Sequence, residues 1–450
     1  MINEQIECFP LDIALSTEAC FDAFASTQYA MLLDSANSEH ENGRYDIIVA
    51  WPKRHLEARN GEYLFDGKAV SCAQTVMNEQ LAALSTKNPF DVPFCGGWVG
   101  YFSYDLGRYL ETMPSKAVKD IDLPELFAGL YVDALIFDKQ QQKWFYVCQP
   151  NFNRLDLFLA QIAKTQHYAT FALQSQWRSN LSETDYSDRF LRIHEYLKSG
   201  DCYQINLAQR FSADFEGSPW LAYKKLRIAN RAPFSAYINH PDGAILSVSP
   251  ERFIKVTNKQ VETKPIKGTL PRGKNEAEDT RLAQKLKNSS KDQAENVMIV
   301  DLLRNDLGKV AKPGSVQVPK LFDIESFPAV HHLVSTVTSL LADDKTPLDQ
   351  LFAAFPGGSI TGAPKIRAME IIEELEPHRR SIYCGSIGYV SACGKMDTSI
   401  TIRTLVAQKN TLYCWAGGGI VMDSNCQMEY QETLHKVNKI LPLLAQSERQ

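Results

Sequence analysis

Short strand-like runs joined by tight turns constrain the fold of this chain more than any other feature. Between residues 203 and 421 the strand candidates are 203–215, 243–256, 260–267, 383–391, 397–407 and 411–421. Two strands joined by a tight turn run in opposite directions, so these segments favour antiparallel pairing. Helical patterns lie between and after them, at 276–288, 290–303, 345–355, 364–376 and 426–445. The pattern therefore predicts a mixed α/β fold.

A polar stretch separates these segments from the N-terminal part of the chain. Residues 1–150 mix β-rich runs with helical patterns near 18–32 and 74–86, and form a predicted N-terminal region. Residues 151–185 are predicted as a linker, because 174–185 is rich in polar residues. Ser182 or Thr184 is the predicted cap of a helix at 186–198 that ends at Gly200. Residues 186–445 form the second predicted domain.

Composition excludes several classes of function. There are 48 Lys and Arg against 53 Asp and Glu, a net charge of −5, and no basic block, so we expect no nucleic-acid partner. No apolar run reaches the roughly 18 residues of a membrane-spanning helix. The 10 cysteines form no C-x-x-C pair, and many lie in apolar strings, as reduced buried thiols do. We therefore expect a cytoplasmic protein with no membrane partner.

The segment 249–269 brings a carboxylate and an amine together. It predicts a β-hairpin that turns at residues 258–259, in which Glu251 and Lys267 face each other with Cβ atoms about 5 Å apart. One group could then donate a proton to a substrate while the other attacks it. A surface ion pair is the alternative, and is what two such residues usually form. Residues that fix backbone geometry frame both charged positions and favour the active site. They are Pro250, Pro265 and Gly268.

Two helical segments each carry a pair of carboxylates on one face. Asp292 and Glu295 are three residues apart, as are Glu429 and Glu432. Carboxylates from two helices, with no Cys or His, suit a hard cation such as Mg²⁺, which keeps waters and bridges to an anionic substrate. Solvated helix faces are the alternative.

Two glycine-rich segments and one arginine are candidate ligand contacts. Residues 357–365 lead into a helix with Pro364 predicted as its first residue, and free amides there would bind an anion. Ala363 and Pro364 replace the Gly-Lys step of a Walker A loop, so a carboxylate is the expected anion. Residues 416–420 are a second glycine run, either a tight turn or a place where a ligand meets the backbone. Arg403, in a strand-like run, either pairs with a buried acid or grips a carboxylate.

Taken together, these segments resemble the family of chorismate-utilising enzymes. The matching stretches are 249–251, 265–269, 294–306, 332–335, 358–365, 397–403 and 416–432. They occur in the family's order, and the N-terminal half is also similar to the family, including residues 32–36. The resemblance implies an α/β fold of the α+β type: two mostly antiparallel β-sheets packed face to face with helices outside, and the active site between them.

Two positions separate the reactions within the family. Members that make anthranilate, by amination at C2, carry a small residue where Lys267 stands, whereas a lysine marks members that aminate C4. Members that add water carry a lysine where Gln204 stands. The resemblance therefore implies amination of chorismate at C4 to give 4-amino-4-deoxychorismate, for 4-aminobenzoate and folate biosynthesis. An anthranilate synthase is the runner-up, and a catalytically inactive chorismate-binding subunit is a third hypothesis.

The resemblance also implies a role for each candidate residue. Glu251 protonates the leaving C4 hydroxyl, Lys267 adds to C2, and ammonia then enters at C4 and expels the lysine. We therefore expect a lowered pKa for Lys267 and a raised pKa for Glu251. His332 is expected near the ring. The implied substrate contacts are Gln204, Ser359, Tyr383, Arg403, Gly417, Gly419 and Lys436. The implied Mg²⁺ ligands are Glu295 and Glu432, with Asp292 and Glu429 behind them.

Two further expectations concern partners and ligands. The chain has no glutaminase-type Gly-x-Cys-x-Gly segment. Ammonia is therefore expected from a separate glutamine amidotransferase subunit. In some relatives the segment that matches 32–36 helps to bind tryptophan, so Ser35 marks a candidate tryptophan pocket, with a plain strand end as the alternative.

Overall fold

Antiparallel strands dominate the computed structural model, which describes residues 5–36, 42–326 and 330–446. Within these residues the strands are β1 (Glu7–Leu11), β2 (Met31–Asp34), β3 (Tyr45–Val49), β4 (Arg54–Arg59), β5 (Glu62–Phe65), β6 (Lys68–Val70), β7 (Gly97–Phe102), β8 (Leu126–Tyr131), β9 (Asp133–Asp138), β10 (Lys143–Cys148), β11 (Ala172–Leu173), β12 (Arg178–Ser179), β13 (Gln204–Glu216), β14 (Phe234–His240), β15 (Gly243–Ser249), β16 (Arg252–Thr257), β17 (Gln260–Thr263), β18 (Ile266–Pro271), β19 (Gln317–Ser326), β20 (Val330–Leu340), β21 (Gly362–Ala363), β22 (Ser386–Ser391), β23 (Met396–Ile400), β24 (Thr404–Gln408) and β25 (Thr411–Ile420).

Helices cover the outside of the strands. They are α1 (Thr17–Asp22), α2 (Ala73–Ala82), α3 (Gly107–Leu110), α4 (Leu155–Ile162), α5 (Glu183–Ser199), α6 (Pro219–Asn230), α7 (Glu276–Lys287), α8 (Ser290–Gly308), α9 (Pro347–Ala354), α10 (Lys365–Leu375), α11 (Cys426–Lys436) and α12 (Leu441–Ala445). None of these helices has the length and apolar character needed to span a bilayer, in the parts of the chain that the structure describes.

The strands form two large sheets. The first has the order β1-β10-β9-β3-β2-β14-β15-β24-β25-β13-β11, with β12 and β21 also paired to β13. The second has the order β18-β20-β17-β16-β23-β22-β7-β8-β4-β5-β6, with β19 paired to β20. Both sheets combine strands from before residue 150 with strands from after residue 203, for example in the β2·β14 and β7·β22 ladders. The N-terminal and C-terminal halves therefore share both sheets.

Apolar side chains from both sheets meet in one core. Val99 and Ile254 of the second sheet belong to the same buried cluster as Ile245 and Val406 of the first. A second cluster covers the opposite face of the first sheet with side chains from α1, α4 and α6, among them Phe21, Phe158 and Trp220. The prediction of two antiparallel sheets packed face to face, with helices outside, is confirmed.

The segment predicted as a linker carries secondary structure. Residues 151–185 hold α4 and the short strands β11 and β12, both of which pair with β13. The helix after it was predicted well: Ser182 caps α5 in a capping box with Asp185, and Gly200 ends it at φ 81°. The predicted helix 426–445 is instead divided into α11 and α12. The boundaries at 150 and 185 stay predictions.

Two segments predicted as single strands each cross from one sheet to the other. Residues 243–256 form β15 in the first sheet and β16 in the second, divided at Pro250 and Glu251. Residues 397–407 likewise belong to β23 in the second sheet and β24 in the first, divided at 401–403. The two crossings lie side by side, because Ile400 N–H donates to Glu251 C=O (3.0 Å) and Val248 N–H donates to Arg403 C=O (3.1 Å). They form a seam between the sheets.

Candidate active site

Glu251 lies at this seam, where the chain leaves the first sheet. Its backbone N–H donates to Ser249 Oγ at 3.3 Å, and Ser249 Oγ donates to Ile400 C=O at 2.5 Å. Only 9% of Glu251 is exposed. Burial raises the pKa of its carboxyl to about 7, against the opposing pull of Lys267, Lys436 and Arg403. The carboxyl is therefore protonated in a substantial fraction of molecules near neutral pH, as a proton donor requires.

Lys267 lies on β18 next to a β-bulge. Gly268 has φ 72°, and a Cβ atom there would come within 2.9 Å of the Asp292 carboxylate. Lys267 Nζ donates to Ser359 C=O at 3.4 Å. Burial lowers the pKa of its ammonium, although Glu295 and Glu251 oppose this shift. The directions predicted for the pKa values of Glu251 and Lys267 are both confirmed.

The predicted cross-strand pairing of Glu251 with Lys267 is wrong. The hairpin turn lies where predicted, with positive φ at residues 258 and 259, and β16 pairs with β17 from Thr257–Gln260 onward. However, β17 ends at Thr263, and Lys267 on β18 lies opposite Leu333 of β20. Pro265 has no N–H to continue the ladder. Glu251 and Lys267 nevertheless act on each other's pKa, so they share one site by another route.

Acidic side chains of α8 and α11 interact next to this pair. Burial raises the pKa of Glu295, and Glu429 on the other helix raises it further. Burial also raises the pKa of Glu429, which accepts from Ser424 Oγ at 2.7 Å. Burial by itself would raise the pKa of Glu432. The ammonium of Lys436, whose Nζ lies 2.7 Å from Glu432 Oε1, instead holds that pKa below its ordinary value. Among the described residues, no three acidic, histidine or cysteine side chains stand close enough to hold a metal ion by themselves.

Glycines allow the backbone of β25 to approach these acids. A Cβ atom on Gly418 would lie 3.1 Å from Glu429 Oε2 and 3.9 Å from Glu432 Oε1. Lys436 Nζ donates to Gly417 C=O at 2.8 Å. A Cβ atom on Gly419 would collide with the side-chain nitrogen of Gln204. The glycine run at 416–420 thus forms part of β25, and its lack of side chains lets the acidic side chains of α11 lie close to the strand.

Gln204 is held by a residue that the sequence analysis missed. Its Nε2 donates to Asn206 Oδ1 at 3.1 Å, and Asn206 Nδ2 donates to Ser359 C=O at 3.4 Å. That carbonyl also accepts from Lys267. Gln204 Oε1 is buried without a hydrogen-bond partner within the described residues. Alternation along β13 was the available signal, because residues 204 and 206 share one face of a strand.

Arg403 was predicted to lie within a strand, but it lies at the second crossing. Its φ is 52°, and its half-buried guanidinium makes no hydrogen bond or ion pair with any residue that the structure describes. Burial lowers the pKa of Arg403, and Glu251 is the group that opposes this. Tyr383 is buried and stacks on Trp415, with ring centroids 6.2 Å apart. Arg403, Lys267 and Lys436 are thus the cations that act on the Glu251 carboxyl.

The glycine-rich turn at 357–365 leads into α10. Pro364 precedes the helix as its N-cap residue and not as its first residue, because α10 begins at Lys365. Lys365 is not available to a ligand, since its Nζ donates to Asp306 Oδ2 at 2.6 Å and to Ala354 C=O at 2.9 Å. Buried Ser359 contributes its carbonyl to the site through the contacts described above.

His332 and Ser35 are the two remaining residues predicted for the site. His332, on β20, shares a hydrogen bond between its Nδ1 and Thr269 Oγ1 at 2.8 Å. Ser35 belongs to a buried cluster in the N-terminal half, where its Oγ donates to Asp46 Oδ1 at 2.8 Å and accepts from Lys139. Nearby, a cavity of about 100 Å³ is lined by Asp34, Pro233, Phe234, Tyr389 and Asp397, among others. The roles of His332 and Ser35 stay predictions.

A profile of a known protein family matches most of the chain. The family is described as chorismate binding enzyme, and the match covers residues 28–442. The chain belongs to the chorismate binding enzyme family. The resemblance inferred from its motifs is therefore confirmed.

Other members of the chorismate binding enzyme family are similar over nearly the whole chain. Aminodeoxychorismate synthase component 1 of Klebsiella aerogenes is 53% identical over 436 residues, covering 95% of this chain and 96% of that protein. Aminodeoxychorismate synthase component 1 of Escherichia coli K12 is 49% identical, with 95% and 96% covered. The crystal structure of anthranilate synthase component I from Streptococcus pneumoniae TIGR4 superposes with a TM-score of 0.79 at 30% identity, covering 90% of this chain and 93% of that one.

Proposed function

We propose that this chain is the chorismate-aminating component of an aminodeoxychorismate synthase. It would convert chorismate and ammonia to 4-amino-4-deoxychorismate, for 4-aminobenzoate and folate biosynthesis. The observation that carries the proposal is the pairing, in one buried site, of a carboxyl whose pKa is raised to about 7 with a lysine whose pKa is lowered. The relatives named aminodeoxychorismate synthase component 1, at 49% and 53% identity, support the choice of reaction.

Glu251 and Lys267 divide the chemistry between them. Protonated Glu251 donates its proton to the C4 hydroxyl of chorismate, which leaves as water. The neutral amine of Lys267 forms a bond to C2 as the C4–O bond breaks. Ammonia then forms a bond to C4, the C2–N bond to Lys267 breaks, and the lysine amine is regenerated. Both steps depend on the protonation states that the two pKa shifts favour.

The interacting acids of α8 and α11 fit a magnesium ion. Their donors are carboxylate oxygens alone. Burial and neighbouring carboxylates raise the pKa values of Glu295 and Glu429, and a divalent cation would stabilise the charged forms of both groups. We propose that Glu295 and Glu432 bind Mg²⁺, with Glu429 and Asp292 behind them. Two carboxylates suffice, because Mg²⁺ usually takes its remaining ligands from water and substrate. The ion would fix and neutralise the ring carboxylate of chorismate.

The remaining polar groups of the site would hold the substrate. Arg403 offers a guanidinium without a protein partner to the second carboxylate, beside the stacked ring of Tyr383. Lys436, Gly417, Gly419 and Ser359 would contact the ring carboxylate, and Gln204 would face the incoming nucleophile. His332 stays a proposed residue near the ring, and Ser35 stays a proposed tryptophan-pocket residue.

Ammonia requires a second protein in this proposal. We propose that a glutamine amidotransferase subunit supplies it, which agrees with the designation component 1 of the relatives. We also place the reaction in the cytoplasm. All 10 cysteines of the chain are free thiols, as a reducing compartment would maintain them.

Product identity tests the function. The protein is incubated with chorismate, Mg²⁺ and ammonium, and the products are separated by chromatography with mass detection. We expect 4-amino-4-deoxychorismate as the main product. Anthranilate as the main product would overturn the proposal in favour of an anthranilate synthase. Unchanged chorismate would instead favour an inactive chorismate-binding subunit.

A further inference from the structure

Two cysteines far from the seam lie opposite each other at the end of the β7·β22 ladder. The last paired residues are Gly97 and Ser391. Ala392 N–H then donates to Gly96 C=O at 2.8 Å, which extends the antiparallel register by one step. The next step sets Cys95 opposite Cys393. Residues in such positions have Cβ atoms roughly 5 Å apart, close to the spacing of a disulfide.

One hydroxyl holds both thiols in place. Ser391 Oγ lies 3.3 Å from Cys95 Sγ and 3.3 Å from Cys393 Sγ. The same oxygen accepts from the Cys95 backbone N–H at 3.1 Å. The two thiols therefore lie on either side of a single hydroxyl oxygen, at facing backbone positions.

The surroundings make the two thiols chemically different. Cys393 is partly exposed, and its sulfur accepts from Asn88 Nδ2 at 3.9 Å. The neighbouring Cys95 is the largest cause that lowers the pKa of Cys393. Cys95 is fully buried, and Cys393 and burial both raise its pKa. Cys393 is thus a partly exposed thiol with a lowered pKa beside a buried thiol, as in redox-sensing pairs.

We propose that Cys95 and Cys393 are a peroxide-modified pair that closes to a disulfide. The Cys393 thiolate attacks one oxygen of a hydroperoxide, the O–O bond breaks, and the sulfur becomes a sulfenic acid. The Cys95 sulfur then attacks that sulfur, the S–O bond breaks, and the departing hydroxide takes the Cys95 proton to form water. With hydrogen peroxide, two thiols are oxidised and the peroxide is reduced to two molecules of water.

The bond would join two parts of the chain that are distant in sequence. It would tie the segment before β7 to the turn between β22 and β23. Pro93 and Tyr389, close to the two cysteines in sequence, line the cavity of about 100 Å³ described above. Disulfides in reducing compartments are usually transient and redox-sensing, so a pair that is reduced at rest agrees with the 10 free thiols.

Peptide mapping of the oxidised protein tests the proposal without reference to the amination reaction. The full chain is exposed to substoichiometric hydrogen peroxide, the remaining thiols are alkylated, and the unreduced digest is analysed by mass spectrometry. We expect a peptide that links Cys95 to Cys393 as the first product, a loss of two of the 10 free thiols, and full reversal by dithiothreitol. Cys95→Ser should instead leave a sulfenic acid on Cys393 that dimedone traps.

Cys72→Ser is the matched control, because Cys72 is also partly exposed and also has a lowered pKa, but has no second thiol among its hydrogen-bond partners. This variant should form the Cys95–Cys393 link at the wild-type rate. Wild-type protein that oxidises first at Cys72, or that carries irreversible oxidation on Cys393 without the linked peptide, would overturn the proposal.

Discussion

Glu251 and Lys267 owe their opposite pKa shifts to the same surroundings. Burial disfavours the charged form of each group, which raises the pKa of the carboxyl and lowers that of the amine. Their mutual attraction acts the other way and is the smaller effect in both cases. A buried, reactive pair can therefore exist as neutral acid and neutral amine, whereas a surface ion pair would be charged.

The pH dependence of the reaction follows from these two groups. Deprotonation of Glu251 as the pH rises through about 7 should remove the proton donor, and protonation of Lys267 at lower pH should remove the nucleophile. We expect a bell-shaped profile of kcat/KM. Glu251→Gln should lower kcat by about 10²- to 10⁴-fold, the usual contribution of a general acid, and should abolish the alkaline limb. An unchanged alkaline limb in Glu251→Gln would assign that limb to another group.

Asn206 is a positioning residue in this scheme. Its Nδ2 is committed to Ser359 C=O, so its Oδ1 must accept from Gln204, and Gln204 Oε1 remains the free acceptor. Asn206→Ala should raise the KM for ammonium roughly 5-fold, as expected for the loss of about 1 kcal/mol of hydrogen bonding. The KM for chorismate should change less. Asn230→Ala, on the exposed end of α6, is the control; equal effects in the two variants would refute the assignment.

At the scale of elements, the strand crossings create the site. The β15–β16 and β23–β24 connections bring Glu251 and Arg403 together, because each passes between the sheets at the same place. Sequence patterns predicted the two segments as strand-forming. They also predicted the hairpin turn at 258–259 and a helix cap at Ser182 or Thr184, of which Ser182 is the cap. They could not show the crossings, because alternation of apolar residues does not reveal which sheet a strand joins.

The sequence also predicted only part of the electrostatic environment of the candidate active site. The pairs Asp292–Glu295 and Glu429–Glu432 follow from helical spacing, so their presence on helix faces was predictable. The ion pair of Lys436 with Glu432 is also an i,i+4 pair on α11, whereas the effect of Glu429 on Glu295 depends on how α8 and α11 lie relative to each other. The hydrogen bond from Asn206 to Ser359 C=O likewise depends on where the turn at 358–360 lies, and the strand pattern does not specify that position.

The paired acids of α8 and α11 predict a specific response to magnesium. Chelation should stop turnover, and Glu432→Gln should raise the Mg²⁺ concentration needed for half-maximal rate by at least about 10-fold. Asp301→Asn is a matched control on α8, because Asp301 is exposed and, among the described residues, pairs only with Arg304. Full activity in excess chelator would exclude the proposed metal site.

Gly268 tests whether the bulge at Lys267 is required. A side chain at φ 72° is strained, and a Cβ atom there would also collide with Asp292 and Leu286. Gly314 has a similar φ of 75° but open space around it, so Gly314→Ala reports the strain alone. We expect Gly268→Ala to lower the free energy of unfolding by more than the approximately 1–2 kcal/mol expected for Gly314→Ala. If urea unfolding shows equal losses of free energy of unfolding in the two variants, the Cβ atom at position 268 does not collide with its neighbours.

At the scale of the whole molecule, the net charge and the cations of the site act differently on an anionic substrate. The net charge of −5 does not attract a substrate with two carboxylates. Inside the seam, however, Lys267, Lys436 and Arg403 all act on the Glu251 carboxyl. In the proposed reaction, capture of a dianion depends on these cations and on the proposed Mg²⁺ ion. The two sheets on either side of the seam use strands from both halves of the chain, although both crossings belong to the C-terminal half.

The most direct test of the account is the mass of the Lys267 peptide after incubation with chorismate and Mg²⁺ in the absence of ammonia. The account predicts that this peptide gains the mass of chorismate less one water, and that added ammonium removes the modification as 4-amino-4-deoxychorismate appears. An unmodified Lys267, together with wild-type product formation by Lys267→Ala, would contradict it.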